Sequence, residues 1–226
     1  MFIKYFCLLA LLFTLSYSFG GQNETIPVNT KEKSVLDLMI DQPNFLQWYN
    51  FWNETFPDID LKDLTFKKTK FLQFRNLNSL SGKTIYDVET RNFTLIYSPN
   101  KKYFLDLYTD VIFEQVPNTE DWSILGRDAD PAFTFCSLKD SLTFRYTAGT
   151  TSFFDEVMWI SDTLFIILGV SFMPGVENSY QKFMVVIGEI KNNSKDLTIY
   201  LSQQLPWKSS WTAYMKHKHP NLIVNF

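Results

Sequence analysis

Two stretches constrain the fold of this chain more than any others. Residues 163–172 read Thr-Leu-Phe-Ile-Ile-Leu-Gly-Val-Ser-Phe, and residues 182–190 read Lys-Phe-Met-Val-Val-Ile-Gly-Glu-Ile. Side chains branched at Cβ lose χ1 freedom in a helix and pack well on a pleated surface, so both runs predict strands. Shorter alternating stretches precede them. Phe66, Phe71, Phe74, Ile85 and Val88 mark weaker strands. Residues 93–97 form an apolar run closed by the turn residues Ser98-Pro99-Asn100-Lys101, residues 102–108 resume it, and residues 111–116 make another. Residues 132–138 alternate around Cys136.

The N-terminal part has a different texture. Residues 1–20 carry one cation, Lys4, then the apolar run 6–13, then small residues at Ser16, Ser18 and Gly20. This is the pattern of a secretory signal cleaved after Ser18 or Gly20, and the run is shorter than the roughly 20 residues a membrane helix needs. Residues 21–60 read as a polar leader followed by a helical cap. Ser34 is placed to cap a short helix over 35–40 that stops before Pro43. A second helix is expected from Asn44, as its cap, to Asn53, with Phe45, Leu46, Trp48, Tyr49, Phe51 and Trp52 at near-helical spacing and Pro57 beyond. Residues 61–226 are the expected antiparallel β domain. Hydrophobic residues at 46% and aromatics at 17% supply a core and exclude general disorder. A formal net charge of −3 gives no basic field for nucleic acid. Once the signal is removed no membrane span is expected. One cysteine, Cys136, then remains, so no internal disulfide is available and a buried thiol is expected.

The β region echoes itself. Tyr97-Ser98-Pro99-Asn100-Lys101-Lys102-Tyr103-Phe104-Leu105 has the shape of Trp159-Ile160-Ser161-Asp162-Thr163-Leu164-Phe165-Ile166-Ile167: aromatic, serine, polar turn, apolar strand. Each copy leads into two further strand-like segments, 133–138 with 142–144 and 185–190 with 197–200. Residues 93–201 on this basis resemble two blades of the WD40/TolB-like propeller type, and Ser98-Pro99-Asn100-Lys101-Lys102-Tyr103 is similar to the SPDGK-type turn of such blades. The segment Phe154-Asp155-Glu156-Val157-Met158-Trp159 adds a similarity to secreted bacterial proteins that carry these turns. The resemblance implies a mainly β fold of antiparallel, propeller-blade sheets. A closed ring takes about four to eight blades, so the expected form is open, with two or three blades, or β-sandwich-like, with short N-terminal helices. Blades are scaffolds, and the resemblance carries no activity with it.

Candidate sites are few. Asp128 and Asp130 in Gly126-Arg127-Asp128-Ala129-Asp130-Pro131 offer carboxylates in a polar loop, without the further oxygen ligands of a calcium loop. Asp155 and Glu156 beside Trp159 combine two carboxylates with an aromatic platform suited to a sugar. Strand alternation, however, sends adjacent side chains to opposite faces, so the two are expected not to serve one substrate. His217 and His219 would share a face if residues 216–220 were extended, yet two imidazoles do not make a metal site. Trp207, Trp211 and Tyr214 form an aromatic tail suited to covering a sheet edge. Gly-x-Ser-x-Gly, phosphate-loop and dinucleotide motifs are absent from the sequence. Asn23, Asn53, Asn92 and Asn192 each begin an Asn-x-Ser/Thr sequon. The expectation is a secreted or periplasmic protein that binds a protein or glycan partner or serves as a structural accessory, without a cofactor and without catalysis of its own. The alternative is a carboxylate-dependent hydrolase acting on carbohydrate.

Overall fold

The computed structural model describes residue 37 and residues 39–57, 59, 61, 64–73, 75–76, 94–127, 130–138, 142–148, 151–173, 180–191, 194–206 and 211–224. The expected signal, the leader, the Ser34 cap and the strand positions at Phe74, Ile85 and Val88 lie outside the described residues, as do Phe93 and Asp128.

The chain is mainly β, and its sheets are open. The largest sheet runs β1 (Thr65–Gln73), β12 (Ser194–Leu201), β11 (Tyr180–Lys191), β10 (Leu164–Met173) and β9 (Ser152–Trp159), with β13 (Leu205–Pro206) paired to β11. A second sheet runs β2 (Arg75–Asn76), β8 (Leu142–Thr147), β7 (Ala132–Ser137), β4 (Tyr103–Asp106) and β3 (Leu95–Tyr97). Between β4 and β7 the chain leaves to build β5 (Val111–Gln115) and β6 (Trp122–Arg127), which form a third sheet with β14 (Leu222–Val224). The β6–β14 pair is parallel, an exception to the expected antiparallel pairing. The other ladders are antiparallel.

The first two sheets pack face to face. Phe133, Phe135 and Phe144 from one meet Phe154, Phe165, Ile167, Val186 and Ile199 from the other in one buried core. Phe133 meets Phe154 edge to face at 5.1 Å, and Phe135 stacks on Phe165 at 6.0 Å. Burying a side chain of this kind is worth about 1.5–3 kcal/mol, so this seam is the principal apolar stabilisation of the fold. The strongest sequence runs form its central strands, with residues 165–171 and 183–186 buried on one face or the other.

The helix α1 (Pro43–Thr55) covers the outer face of the large sheet. Phe183 of β11 stands on that face, ringed by Trp48 (5.3 Å), Trp52 (5.4 Å) and Phe56 (5.9 Å), all near edge to face. The expected cap at Asn44 is corrected. Pro43 begins the helix, its fixed φ and missing N–H being suited to a first turn, and Gln42 occupies the cap position without a side-chain bond. Asn44 is thereby freed to bond elsewhere. A second helix, α2 (Trp211–Lys218), was not expected. Its residues lack a continuous apolar stripe, and its aromatic and cationic side chains gave no strong period. No helix among the described residues is long and apolar enough to cross a membrane.

The two serine turns adopt related hydrogen bonding. In the β3–β4 turn Tyr103 N–H donates to Ser98 Oγ (3.1 Å), and Lys101 takes φ 55°, the left-handed geometry that glycine accepts most readily. In the β9–β10 turn Leu164 N–H and Thr163 N–H donate to Ser161 Oγ (3.1 and 3.2 Å). The turns also touch, since Asn100 N–H donates to Asp162 Oδ1 at 2.9 Å.

Candidate functional site

Asp155 and Glu156 occupy β9, the edge strand of the large sheet, and they point the same way. The ladder with β10 pairs Leu168 with Glu156 and Gly169 with Phe154, leaving Asp155 as the extra residue of a β-bulge. The core side chains confirm the slip: Phe154 and Val157 face the inter-sheet core three positions apart, where an unbroken strand would give two. The expectation of opposite faces is therefore overturned. Alternation holds only for regular pleating, and the bulge restarts it. Gly169 permits the bulge, because a Cβ there would collide with the backbone carbonyl of Phe153.

Two helices supply donors to this pair, each at four-residue spacing, which aligns side chains on one helical face. From α1 come Asn44, Trp48 and Trp52. Both indole N–H groups donate to Asp155 Oδ2 (2.9 and 3.2 Å), and Asn44 Nδ2 donates to Glu156 Oε1 (3.3 Å) and to the Val157 carbonyl (3.2 Å). From α2 come Tyr214 and Lys218. Tyr214 O–H donates to Glu156 Oε2 (3.0 Å), and Lys218 Nζ forms an ion pair with the same oxygen at 2.7 Å. Tyr108 O–H reaches the Asp155 carbonyl at 3.2 Å. Glu156 Oε1 also accepts from the backbone N–H of Val157 (3.1 Å). Glu156 is thus well satisfied, whereas Asp155 Oδ1 has no hydrogen-bond partner.

Burial decides what this cluster can do. Asp155 is 0% exposed and Glu156 1%, so neither offers an oxygen to a substrate in solution. Burial raises the Asp155 pKa from 3.8 to about 7; the two indole bonds oppose the rise, the Glu156 charge adds to it, and Lys218 opposes it. A carboxyl whose folded pKa lies above its unfolded value stabilises fully at low pH. That contribution is lost as pH rises from about 4 towards 7. His219 acts in the opposite sense. Burial first, and the Lys218 charge second, lower its pKa from 6.5 to about 4, so its contribution is lost as pH falls through that window. The two slopes oppose one another over most of the range. Tyr214 is pushed up, chiefly by burial and then by the charges of Glu156 and Asp155, and stays protonated. The cluster is a clasp that fixes both helices to one edge strand.

The other expected sites separate. Trp159 does not join the carboxylates. Its ring packs with Tyr103, Phe135 and Phe165 at the core, and its N–H donates to the Ile96 carbonyl (3.1 Å). Asp130 is exposed in the loop between β6 and β7, whereas Asp155 and Glu156 are buried. His217 and His219 are not neighbours on a strand. His217, in the last turn of α2, is exposed and contacts the Phe51 ring at 5.0 Å, while His219, just past the helix end, faces Tyr108 with its Nε2 buried. Among the described residues no group of three His, Cys, Asp or Glu could hold a metal ion. The buried Cys136 thiol donates to Thr143 Oγ1 at 3.4 Å. Of the aromatic tail, Trp207 lies outside the described residues, and Tyr214 bonds Glu156 on the helix-facing side of the large sheet. Residue type alone did not connect Asn44, Tyr108, Tyr214 or Lys218 with the carboxylates. The detectable signals were donors at four-residue spacing and Gly169 inside a strand, a common mark of a bulge.

Two surface features lie on the third sheet. Its outer face presents Ile112 (59% exposed), Leu125 (59%) and Ile223 (40%), one from each strand. Glu114 is exposed two residues beyond Ile112, on the same face. At the end of the sheet a pocket of about 250 Å³ is lined by Glu120, Trp122, Lys218, His219, Asn221 and Leu222, among others. No protein-family model, no curated protein and no solved structure matches the chain.

Proposed function

We propose that this chain is an exported, mainly β binding module that acts by docking a partner protein on the outer face of β5, β6 and β14, without catalysis of its own. The observation that carries the reading is the trio Ile112, Leu125 and Ile223. Scattered exposed aliphatics are ordinary, but these three stand one on each strand of one small sheet, Leu125 at a bulge beside the Ile112–Gly126 pair. Glu114 on that face and Glu120 in the turn beside it are exposed acids. The partner surface that fits is aliphatic, with lysine or arginine at the end that meets those acids. Hydrolysis of carbohydrate by Asp155 and Glu156 is disfavoured because the clasp seals both carboxylates. The two four-stranded meanders, β9 to β12 and β3, β4, β7 and β8, and their matching serine turns support the WD40/TolB-like reading of paired blades. Export rests on the sequence pattern of residues 1–20.

The test is carried out in the producing cell. A photo-crosslinking amino acid at position 125 is expected to give a discrete protein adduct that Ile112→Asp abolishes. The same probe at Leu138, an exposed residue elsewhere, should give none. The recovered chain should begin at Phe19 or Gly21. Equal labelling from positions 125 and 138, or an adduct indifferent to Ile112→Asp, overturns the docking face. A mature chain that still begins at Met1 overturns cleavage and export by this signal.

A further inference from the structure

We infer that the pocket at the end of the third sheet binds one neutral pyranose ring of a carbohydrate. The site lies where α2 ends, where the turn at residues 219–221 leads into β14, and where β6 begins; Leu222 and Trp122 are paired directly across the parallel ladder. Its volume of about 250 Å³ is below the usual range for drug-sized ligands and matches a single sugar ring.

The lining sorts into the groups that sugar recognition uses. Trp122, whose indole also packs against the buried core, borders the space and offers aromatic surface to the C–H face of a ring. Glu120 and Asn221 are exposed at the rim, and together they offer acceptors and an amide donor to hydroxyl groups. His219 also lines the space, but its Nε2 is buried and is not open to it. The charge pattern disfavours an anion. Lys218 also lines the pocket, but its Nζ is held by Glu156 at 2.7 Å. An anion would have to compete with that ion pair while facing the Glu120 carboxylate. A neutral polyol meets neither obstacle. Glu120 borders both surfaces, but Ile112, Leu125 and Ile223 do not line the pocket, so a change at Ile112 separates binding here from docking on the apolar face.

The experiment uses the full exported chain and free glucose, galactose, mannose and N-acetylglucosamine, with adenosine as a stacking control. Binding is read by saturation-transfer NMR and by Trp fluorescence. At least one sugar is expected to receive saturation through its ring C–H protons and to bind in the millimolar range. Glu120→Ala and Asn221→Ala, both at exposed positions, should each weaken binding at least about threefold, the loss of one hydrogen bond. Trp122→Ala should weaken it at least about tenfold, and Trp122→Phe should retain most of it, which separates loss of stacking from loss of folding. Transfer to none of the sugars, binding unaltered in Glu120→Ala and Asn221→Ala, or binding of adenosine in place of the sugars overturns the inference. Ile112→Asp should leave sugar binding unchanged, so the failure of either reading is seen independently of the other.

Discussion

Lys218→Met is expected to destabilise the fold by about 3–5 kcal/mol at neutral pH, because removing one member of a buried ion pair leaves the other charge uncompensated. The Lys218 side chain is 15% exposed and that of Glu156 1%, so water reaches the pair poorly and the partner carboxylate has little access to solvation. Tyr214 and Asn44 would still donate to Glu156, but neither carries charge. Urea unfolding followed by Trp fluorescence measures the loss. The diagnostic is the double variant Lys218→Met/Glu156→Gln, which removes both charges and keeps an acceptor for Tyr214. It should recover most of the loss, since a buried pair and a neutral pair of similar volume are often close in stability. A single variant within about 1 kcal/mol of the parent would place Lys218 among ordinary surface pairs and remove its role in the clasp.

Gly169→Ala is expected to be the most damaging single-methyl change in the large sheet, at or beyond the upper end of the about 1–3 kcal/mol seen for overpacking. The added Cβ would collide with the Phe153 carbonyl, which is backbone and cannot turn aside. Relief requires β9 to shift against β10, and that shift dissolves the bulge holding Asp155 and Glu156 on the helix side. The signature is therefore specific. The near-UV circular dichroism of Trp48 and Trp52 should change together with the unfolding midpoint. Gly188→Ala offers a contrast. There the new methyl would meet the Phe165 ring, a side chain, so truncation to Phe165→Leu should restore part of the stability. No side-chain truncation should rescue Gly169→Ala. Equal rescue in both cases, or a Gly169→Ala protein as stable as the parent, would contradict the part assigned to the bulge.

How far the sequence could be read follows from which forces are local. Strands β10 and β11 were legible because their β-branched density is a property of consecutive residues. The helix α1 was legible for the same kind of reason, although its cap lies two residues earlier, at Gln42, because Pro43 at the first helical position prevails over Asn44 as a cap. The helix α2 was not legible. Its contacts are with Glu156, Phe51 and the core through Met215, and none of these is near it in sequence. The carboxylates Asp155 and Glu156 were recognised as unusual, but their common orientation depends on Gly169, fourteen residues away on the neighbouring strand. Alternation alone cannot show that relation. The pairing of His217 with His219 failed for the converse reason, since a strand period was assumed for residues that end a helix. The docking face and the pocket both lie on the third sheet, whose strands are short and whose β14 (Leu222–Val224) is far in sequence from the β5–β6 hairpin it joins. Trp122 and Asn221 had no sequence signal to link them.

The central claim is that Asp155 is a sealed structural acid clasped by two indoles, not an accessible reactive carboxylate. Its own titration tests this most directly, followed by carboxyl 13C NMR alongside the indole N–H signals of Trp48 and Trp52. The account predicts an Asp155 pKa of about 7, with both indole signals moving through the same transition. In Asp155→Asn the transition should vanish, and the stability decline between about pH 4 and 7 that this group contributes should vanish with it. An Asp155 that titrates near 4 while the indole signals stay still would contradict the clasp.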